Sequence, residues 1–265
     1  MIAYQSALDS VQGIEIGARR TVPGTISALV VAYYTSTEFQ DLGQGTQRYR
    51  RWLIEKFRAD FGKHPVKQLE AKHVNAMLMR IGKPHMRKQW LKMLRGLMGY
   101  AVRIGMRGDD PTSGFKIKQR HGDGIRTWGE TEIEIFRRYH PLGSRARLAL
   151  ELLLNTGQRR GDIIRMGRQH MRGEAIHVMQ QKTGVSLAIP LHPDLVAAIA
   201  AGPSGHLTFL TTANGKPFTA GGFTHWFRQQ CRAGGIQGFS PHGLRKAACR
   251  RLAEAGCTEK QIAAI

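Results

Sequence analysis

The residues best suited to chemistry lie between positions 152 and 165. An apolar run at 152–154 gives way to the sequence Asn-Thr-Gly-Gln-Arg-Arg-Gly-Asp at 155–162. A helix that ends at Asn-Thr-Gly and restarts after adjacent arginines indicates a tight turn that directs cationic side chains into a cleft. Guanidinium groups suit phosphate oxygens, because they stay protonated and donate paired hydrogen bonds. For this motif alone, a surface arginine pair after a helix cap would be the better interpretation.

Two further cationic motifs follow along the chain. Lys182-Thr183-Gly184 lies between two strand-like runs, and His242-Gly243-Leu244-Arg245 opens a helix. Ser240 and Pro241 supply a cap residue and a proline at the first helical position, which puts His242 and Arg245 near the first turn. Residues three apart on a helix share a face, so these two side chains can reach the same phosphate. Without its neighbours in the sequence, Lys182 would be interpreted as an exposed turn lysine.

Taken together, the three motifs carry a family resemblance. Thr156-Gly157-Gln158-Arg159-x-x-Asp162, then Lys182-Thr183-Gly184, then His242-x-x-Arg245 resemble the catalytic boxes of the tyrosine recombinases, the phage integrase family. Each box alone is weak, but their order and spacing are specific. The resemblance extends from about residue 23 to the last residue.

The resemblance implies a role for each motif residue. Strand transfer takes the scissile phosphate through a trigonal-bipyramidal state with extra negative charge on its non-bridging oxygens, which Arg159 and Arg245 would stabilise. Lys182, on a hairpin that can swing into the cleft, would protonate the leaving 5′ oxygen. His242 would hydrogen-bond the phosphate or help to deprotonate the nucleophile. Asp162 would hold the arginine turn through an internal ion pair.

The family nucleophile is missing from the sequence. In the family, a His or Trp and then the attacking tyrosine follow the His-x-x-Arg helix, whereas the last tyrosine here is Tyr139 and the last histidine is His242. The six tyrosines are Tyr4, Tyr33, Tyr34, Tyr49, Tyr100 and Tyr139. We therefore expect a recombinase shortened at its C-terminus, with no catalytic nucleophile among these 265 residues.

Composition points to a polyanionic partner. The chain has 40 Lys and Arg against 19 Asp and Glu, a net charge of +21 that is spread along the sequence. Such an excess favours nucleic acid over a membrane surface, since no apolar run is long enough to span a bilayer and no secretory signal begins the chain. The three cysteines, Cys231, Cys249 and Cys257, lack the spacing of a zinc site, and we expect them to be reduced and buried. No metal or cofactor is expected.

A basic helix face is predicted before the motifs. In the predicted helix from Pro84 to Ile104, apolar residues recur at alternating spacings of four and three from Trp90 onward and form a packing seam. Lys88, Lys92 and Arg95 keep that spacing two residues earlier and fall on the opposite face. This face suits a DNA phosphate backbone, although a solvated charged face is nearly as good an interpretation.

The composition divides the chain into four parts. Residues 1–22 form a lead-in without periodicity, 23–107 an all-α domain, 108–126 a Pro- and Gly-containing linker, and 127–265 a second domain. In the all-α domain, Thr25 is predicted to cap the first helix, and Tyr49, Leu53 and Phe57 lie on the apolar stripe of the second.

The second domain is predicted to be mostly helical with a small sheet. A Thr127-x-x-Glu130 capping box would open its first helix, and the helix from Arg145 to Asn155 is apolar nearly all round and so central to the core. Strands are predicted at 175–181 and 185–190, with 207–211 as one more strand or an extended segment. Thr258-x-x-Gln261 forms a last capping box. His170, His177, His206 and His225 are interpreted as structural.

The sequence thus predicts a mainly α protein of tyrosine recombinase type: an all-α core-binding domain followed by a mostly helical catalytic domain with a small antiparallel sheet. The resemblance implies a phage or genomic-island integrase that acts on double-stranded DNA as a tetramer, in the cytoplasm of a bacterium near its nucleoid. Type IB topoisomerases use similar residues, but the motifs resemble integrases more closely. A non-catalytic DNA-binding protein derived from a recombinase is the alternative.

Overall fold

The computed structural model describes residues 21–117, 124–203 and 207–265. Its contacts divide the chain into two compact units, which meet between residues 120 and 121. Most of the predicted lead-in, the middle of the predicted linker and His206 lie outside the described residues. The predicted domain limits remain a prediction, and the two units are described separately.

Helices are the only regular elements among the described residues of the first unit. Its helices are α1 (Ile26–Thr35), α2 (Thr37–Gln40), α3 (Gln44–Phe61), α4 (Ala71–Met79) and α5 (Pro84–Arg103), with a 3-10 turn at Val66–Gln68. Thr25 caps α1 as predicted, because its side chain accepts a hydrogen bond from the amide of Ala28. One apolar cluster, formed by the inner faces of these helices, makes the core of the unit.

Helix α5 separates apolar from basic residues as the sequence predicts. Leu94, Leu97 and Ala101 are fully buried, whereas Lys88, Lys92 and Arg95 are exposed on the other side. The apolar stripes predicted for α5 and α3 each included one terminal residue too many. Ile104 lies past the end of α5, and Tyr49 on α3 is 41% exposed because that part of the helix lies at the surface.

The segment after α5, which includes part of the predicted linker, packs against the first unit. The Arg107 guanidinium is buried and donates hydrogen bonds to the carbonyls of Val66 and Leu69 at 3.1 and 2.9 Å. Phe115 and Ile117 pack against the apolar core of the same unit. The first unit therefore continues to at least residue 117.

The second unit combines seven described helices with one small sheet. The helices are α6 (Glu130–Tyr139), α7 (Arg145–Thr156), α8 (Arg160–Ile163), α9 (Pro193–Ala201), α10 (Ala220–Ala233), α11 (Pro241–Glu254) and α12 (Glu259–Ala264), and the strands are β1 (Met171–Arg172), β2 (Ala175–Met179) and β3 (Ser186–Pro190). The strand order is β1-β2-β3, antiparallel throughout, and Met179 pairs with Ser186 next to the β2–β3 turn. The predicted fold class is confirmed.

Helix α7 forms the centre of the second unit. Most of its side chains are buried, as predicted for a helix that is apolar nearly all round, and it packs against α9 and α11. It ends at Gly157, which has φ +62°. A Cβ atom on Gly157 would lie 2.9 Å from the Ile265 side chain, so only glycine allows the chain to turn sharply here.

The local predictions for the second unit had mixed outcomes. Helix α6 begins after Gly129, whose amide is capped by the Glu132 side chain, whereas Glu130 is held by Arg250 and Arg251. Of the two alternatives predicted for 207–211, a strand or an extended segment, no strand forms, and Thr211 makes only an isolated bridge to Pro217. Of the three cysteines Cys231 is buried, and Cys249 and Cys257 are half-buried. The capping box at Thr258 and Gln261 is confirmed.

A buried ion network joins three helices of the second unit. Glu151 on α7 is fully buried and accepts hydrogen bonds from Arg137 at 2.9 and 3.0 Å and from Arg147 at 2.7 Å. Arg137 also pairs with Asp194 at 2.8 Å. Breaking a buried pair leaves uncompensated charge behind, so Glu151 fixes the packing around α7.

We expect Glu151→Ala to lower the free energy of unfolding by about 3–5 kcal/mol, since two arginines would lose their buried partner. Glu134→Ala is the matched control, because Glu134 pairs with the same Arg137 but is exposed and should cost less than about 1 kcal/mol. Urea denaturation measures both. Equal losses in the two variants would show that burial does not determine the strength of this network.

Candidate functional site

The structure brings all four predicted catalytic residues to one cleft of about 400 Å³ in the second unit. Arg159 comes from the turn after α7, Lys182 from the β2–β3 turn, and His242 and Arg245 from the first turns of α11. The cleft is also lined by Ile125, Gln158, Arg160, Thr224, Arg228, Ser240 and Pro241. None of these described lining residues is acidic, so the cleft attracts anions.

The two arginines are held by neutral acceptors. Arg159 donates a 2.8 Å hydrogen bond to the side-chain oxygen of Gln180. Arg245 donates to the carbonyl of Gly157 at 2.7 Å and to the carbonyl of Ile265 at 3.1 Å. Because the Gln180 side chain and the Gly157 carbonyl carry no net charge, the bonds to them orient the guanidinium groups and leave their positive charges available to a ligand.

Asp162 binds a backbone amide instead of forming the predicted internal ion pair. Its carboxylate is buried and accepts a 2.9 Å hydrogen bond from the backbone amide of Gln181. In the part of the chain that the structure describes, no cation lies within ion-pair distance of Asp162. It therefore fastens the β2–β3 turn to the arginine turn.

The start of α11 is fixed by close backbone contacts. Trp128 donates from its indole nitrogen to the carbonyl of Ser240 at 3.1 Å. A Cβ atom on Gly243 would lie 2.3 Å from the carbonyl of Arg126, so the helix approaches this segment as closely as a glycine permits. His242 and Arg245 are thus presented from a rigid helix end rather than from a loop.

Burial and neighbouring positive charges lower two pKa values within the site. Burial and the charges of Arg245, Lys246, Arg160 and Arg159 lower the pKa of His242. Burial and the neighbouring Arg159 likewise lower the pKa of Arg245. A cluster of cations that disfavour one another's charge is stabilised when an anion binds among them.

Sequence reasoning missed several residues of the cleft. Gln158 and Arg160 lie inside the arginine motif, but that pattern did not single them out. Thr224 and Arg228 lie one turn apart on α10, and Thr224 accepts a 2.5 Å hydrogen bond from Arg160. Their sequence carries no recognisable motif, because they reach the cleft only through tertiary packing.

The other candidate residues lie outside this cleft. His170 and His177 line a second cleft beside the sheet together with Arg165 and Arg172, and His225 lines neither. In the described ranges, no group of three His, Cys, Asp or Glu side chains could hold a metal ion. Lys88, Lys92 and Arg95 line a groove within the first unit, which also includes Lys116.

Comparisons with known proteins agree with this fold. A sequence model described as the phage integrase family matches residues 131–265. The integrase of Escherichia phage HK022 is 29% identical over 141 residues, which cover 52% of this chain and 40% of that protein. The integrase of Enterobacteria phage 434 is 25% identical over 225 residues, which cover 79% of this chain and 62% of that protein. The chain thus matches less than two thirds of the length of either relative.

Solved structures share the fold. A lambda integrase (75-356) dimer bound to a COC' core site has a TM-score of 0.78 at 22% identity, covering 91% of this chain and 94% of that one. A lambda integrase tetramer bound to a Holliday junction has a TM-score of 0.76 at 23% identity, covering 98% and 83%. The Tn1549 transposon integrase with circular intermediate DNA has a TM-score of 0.72 at 16% identity, covering 90% of each chain.

The fold and the cationic cleft define a protein of the tyrosine recombinase class. The match over residues 131–265, about half of the chain, makes the assignment specific: the protein belongs to the phage integrase family.

A separate observation concerns membranes. Among the helices of the described residues, none combines the length and the apolar character that crossing a bilayer requires.

We expect NMR titration to place the pKa of His242 below its ordinary value of about 6.5, and Arg245→Gln to raise it by removing the nearest cation. His140 is the internal control, because burial alone lowers its pKa and no cation contributes. Its titration should be the same in both proteins. A His242 pKa that does not respond to Arg245→Gln would contradict the convergence of these side chains.

Proposed function

We propose that this chain provides the DNA-binding and catalytic framework of a site-specific recombinase that breaks and rejoins DNA through a phosphotyrosine intermediate. The observation that carries the proposal is the convergence of Arg159, Lys182, His242 and Arg245 from three separate segments on one cleft. Membership of the phage integrase family supports the reaction class.

Arg159 and Arg245 would bind the non-bridging oxygens of the scissile phosphate. Both arginines line a cleft whose described lining residues include no acidic side chain, so a phosphate would be their anionic partner there. Charge on these oxygens increases in the trigonal-bipyramidal state, and donors already in place stabilise that state more than the ground state. The pair therefore accelerates the reaction as well as binding DNA.

Lys182 and His242 would transfer protons and make the remaining contact with the phosphate. Lys182 is exposed at the β2–β3 turn and lines the cleft, where it can protonate the leaving 5′ oxygen. The lowered pKa of His242 keeps its imidazole neutral near pH 7, so it can accept a proton from the nucleophile or donate a hydrogen bond to the phosphate.

The attacking tyrosine, we propose, is not among these 265 residues. Tyr139 is the only tyrosine after residue 100, and it lies on α6, where its ring packs against Gly234 and does not line the cleft. The chain as given would hold a phosphate and form no covalent bond to it. A nicked duplex that traps covalent intermediates tests this point on a denaturing gel.

Double-stranded DNA is the proposed substrate, and a tetramer on DNA the proposed assembly. The net charge of +21 supports a polyanionic partner, and structural neighbours include integrases bound to DNA as a dimer and as a tetramer. In the first unit, Lys88, Lys92, Arg95 and Lys116 line one groove that suits a phosphate backbone. The proposed location is the bacterial cytoplasm, at the nucleoid.

A non-catalytic DNA-binding protein derived from a recombinase is the second candidate, supported by the net charge of +21 and by a cleft that can bind a phosphate without cleaving it. The two candidates share the phosphate cleft and differ in chemistry. A strand-transfer assay on the protein encoded by the complete gene separates them, because a regulator would bind its site and leave every strand intact.

In a protein that carries the family tyrosine, we expect Arg159→Ala or Arg245→Ala to lower the cleavage rate by about a hundredfold or more, for loss of one preorganised donor. The affinity for DNA should fall much less. Arg165→Ala is the matched control, since Arg165 is exposed and lines the second cleft instead. Single-turnover cleavage on a labelled duplex measures the rates. Cleavage at the wild-type rate in either variant would remove that arginine from the site.

Replacement of Lys88, Lys92 and Arg95 together by Gln should weaken binding to duplex DNA. The slope of log affinity against log salt should fall by about 2 to 3, roughly 0.9 for each lost phosphate contact. Lys63, Lys67 and Lys72 offer a control triple, because they are exposed on the same unit and line no groove with those residues. Equal effects of the two triples, measured by fluorescence anisotropy, would mean that only net charge matters.

A further inference from the structure

A buried glutamine connects the two sides of the cleft. Gln180 follows β2, two residues before Lys182, and its side chain is 4% exposed. Its oxygen accepts hydrogen bonds from Arg159 at 2.8 Å and from the Thr183 hydroxyl at 2.7 Å. Its nitrogen donates to the Gln158 side-chain oxygen at 2.9 Å and to the Ile265 carbonyl at 2.6 Å.

These four bonds use the full capacity of a primary amide, two accepted and two donated. The orientation of the amide is fixed, because a guanidinium can only donate and a carbonyl can only accept. A buried amide with every partner in place holds one geometry, since a change of rotamer would leave several polar groups unsatisfied.

The bonds join the arginine turn to the turn that carries Lys182. Arg159 and Gln158 belong to the first turn, and Thr183 to the second. The backbone of Gln180 also closes the β2–β3 turn, because its carbonyl accepts from the Gly184 amide at 2.8 Å and its amide donates to Val185 at 2.9 Å. One residue therefore sets both the direction of the Arg159 guanidinium and the loop conformation around Lys182.

We propose that Gln180 is a positioning residue of the phosphate site. It fixes the positions of Arg159 and the Lys182 turn relative to each other. The inference rests on the proposed phosphate-binding role of the cleft. Neutrality is part of the role, because a carboxylate at this position would also orient Arg159 but would cancel the charge that binds the phosphate. Gln180 thus orients the cation without competing with the ligand.

The test measures binding of inorganic phosphate to this chain by NMR, through the side-chain Nε–H signals of the arginines. We expect Gln180→Met, which keeps the length and removes all four bonds, to weaken phosphate binding by about tenfold. Gln180→Glu should weaken it at least as much, although its shape is nearly identical, because an anion then faces Arg159. Gln169→Met, on an exposed glutamine of the same unit, should have no effect.

A double-mutant cycle separates positioning from general destabilisation. If Gln180 acts through Arg159, then Gln180→Met adds little to the loss already caused by Arg159→Ala, whereas a merely structural loss adds in full. Thr183→Val supplies a second variant at the surface that leaves the core intact, with an expected weakening of about threefold for one lost hydrogen bond. It keeps the proposal testable if Gln180→Met does not fold.

The outcomes distinguish this inference from the function on which it rests. Wild-type protein that fails to bind phosphate would overturn both. Wild-type protein that binds phosphate, with Gln180→Met, Gln180→Glu and Thr183→Val binding equally well, would overturn the role of Gln180 alone. Additive losses in the cycle with Arg159→Ala would also overturn it.

Discussion

The structure of the second unit depends on holding several positive charges close together without neutralising them. Arg159, Arg245 and Lys182 line one cleft, and like charges at such distances disfavour the folded state. The cost is offset by hydrogen bonds to neutral oxygens, those of Gln180 and Gly157. An acidic partner would stabilise the empty protein more, but it would compete with the phosphate that we propose for this cleft.

The rest of the unit serves this arrangement. Helix α7 is almost completely buried and ends at Gly157 in a left-handed turn, which places Arg159 at the cleft. Asp162, the nearest buried carboxylate of that turn, is bonded to the Gln181 amide and so braces the sheet instead of neutralising an arginine. The buried network around Glu151 fixes α7 from its other side. The charge of Glu151 is thus buried and paired with arginines, whereas Arg159 keeps a neutral partner at the proposed phosphate site.

The convergence of the four proposed catalytic residues could be predicted because they lie in local patterns with physical causes: a glycine turn before Arg159, a hairpin around Lys182, a proline-started helix before His242. The apolar periodicity of α5 and α7 likewise predicted which faces are buried. Thr224, Arg228 and Gln180 could not be predicted, since their roles arise from segments that meet only in the folded chain. The mistaken cap at Thr127 has the same origin, because Arg250 and Arg251 hold Glu130 from far along the sequence.

The central claim is that the scissile phosphate of DNA lies among Arg159, Lys182, His242 and Arg245. An experimental structure of this chain on duplex DNA tests it most directly. The account predicts one phosphate within hydrogen-bond distance of Arg159, His242 and Arg245, with Lys182 beside its 5′ oxygen. A DNA backbone that instead follows the second cleft, along Arg165 and Arg172, and leaves the first cleft empty would contradict it.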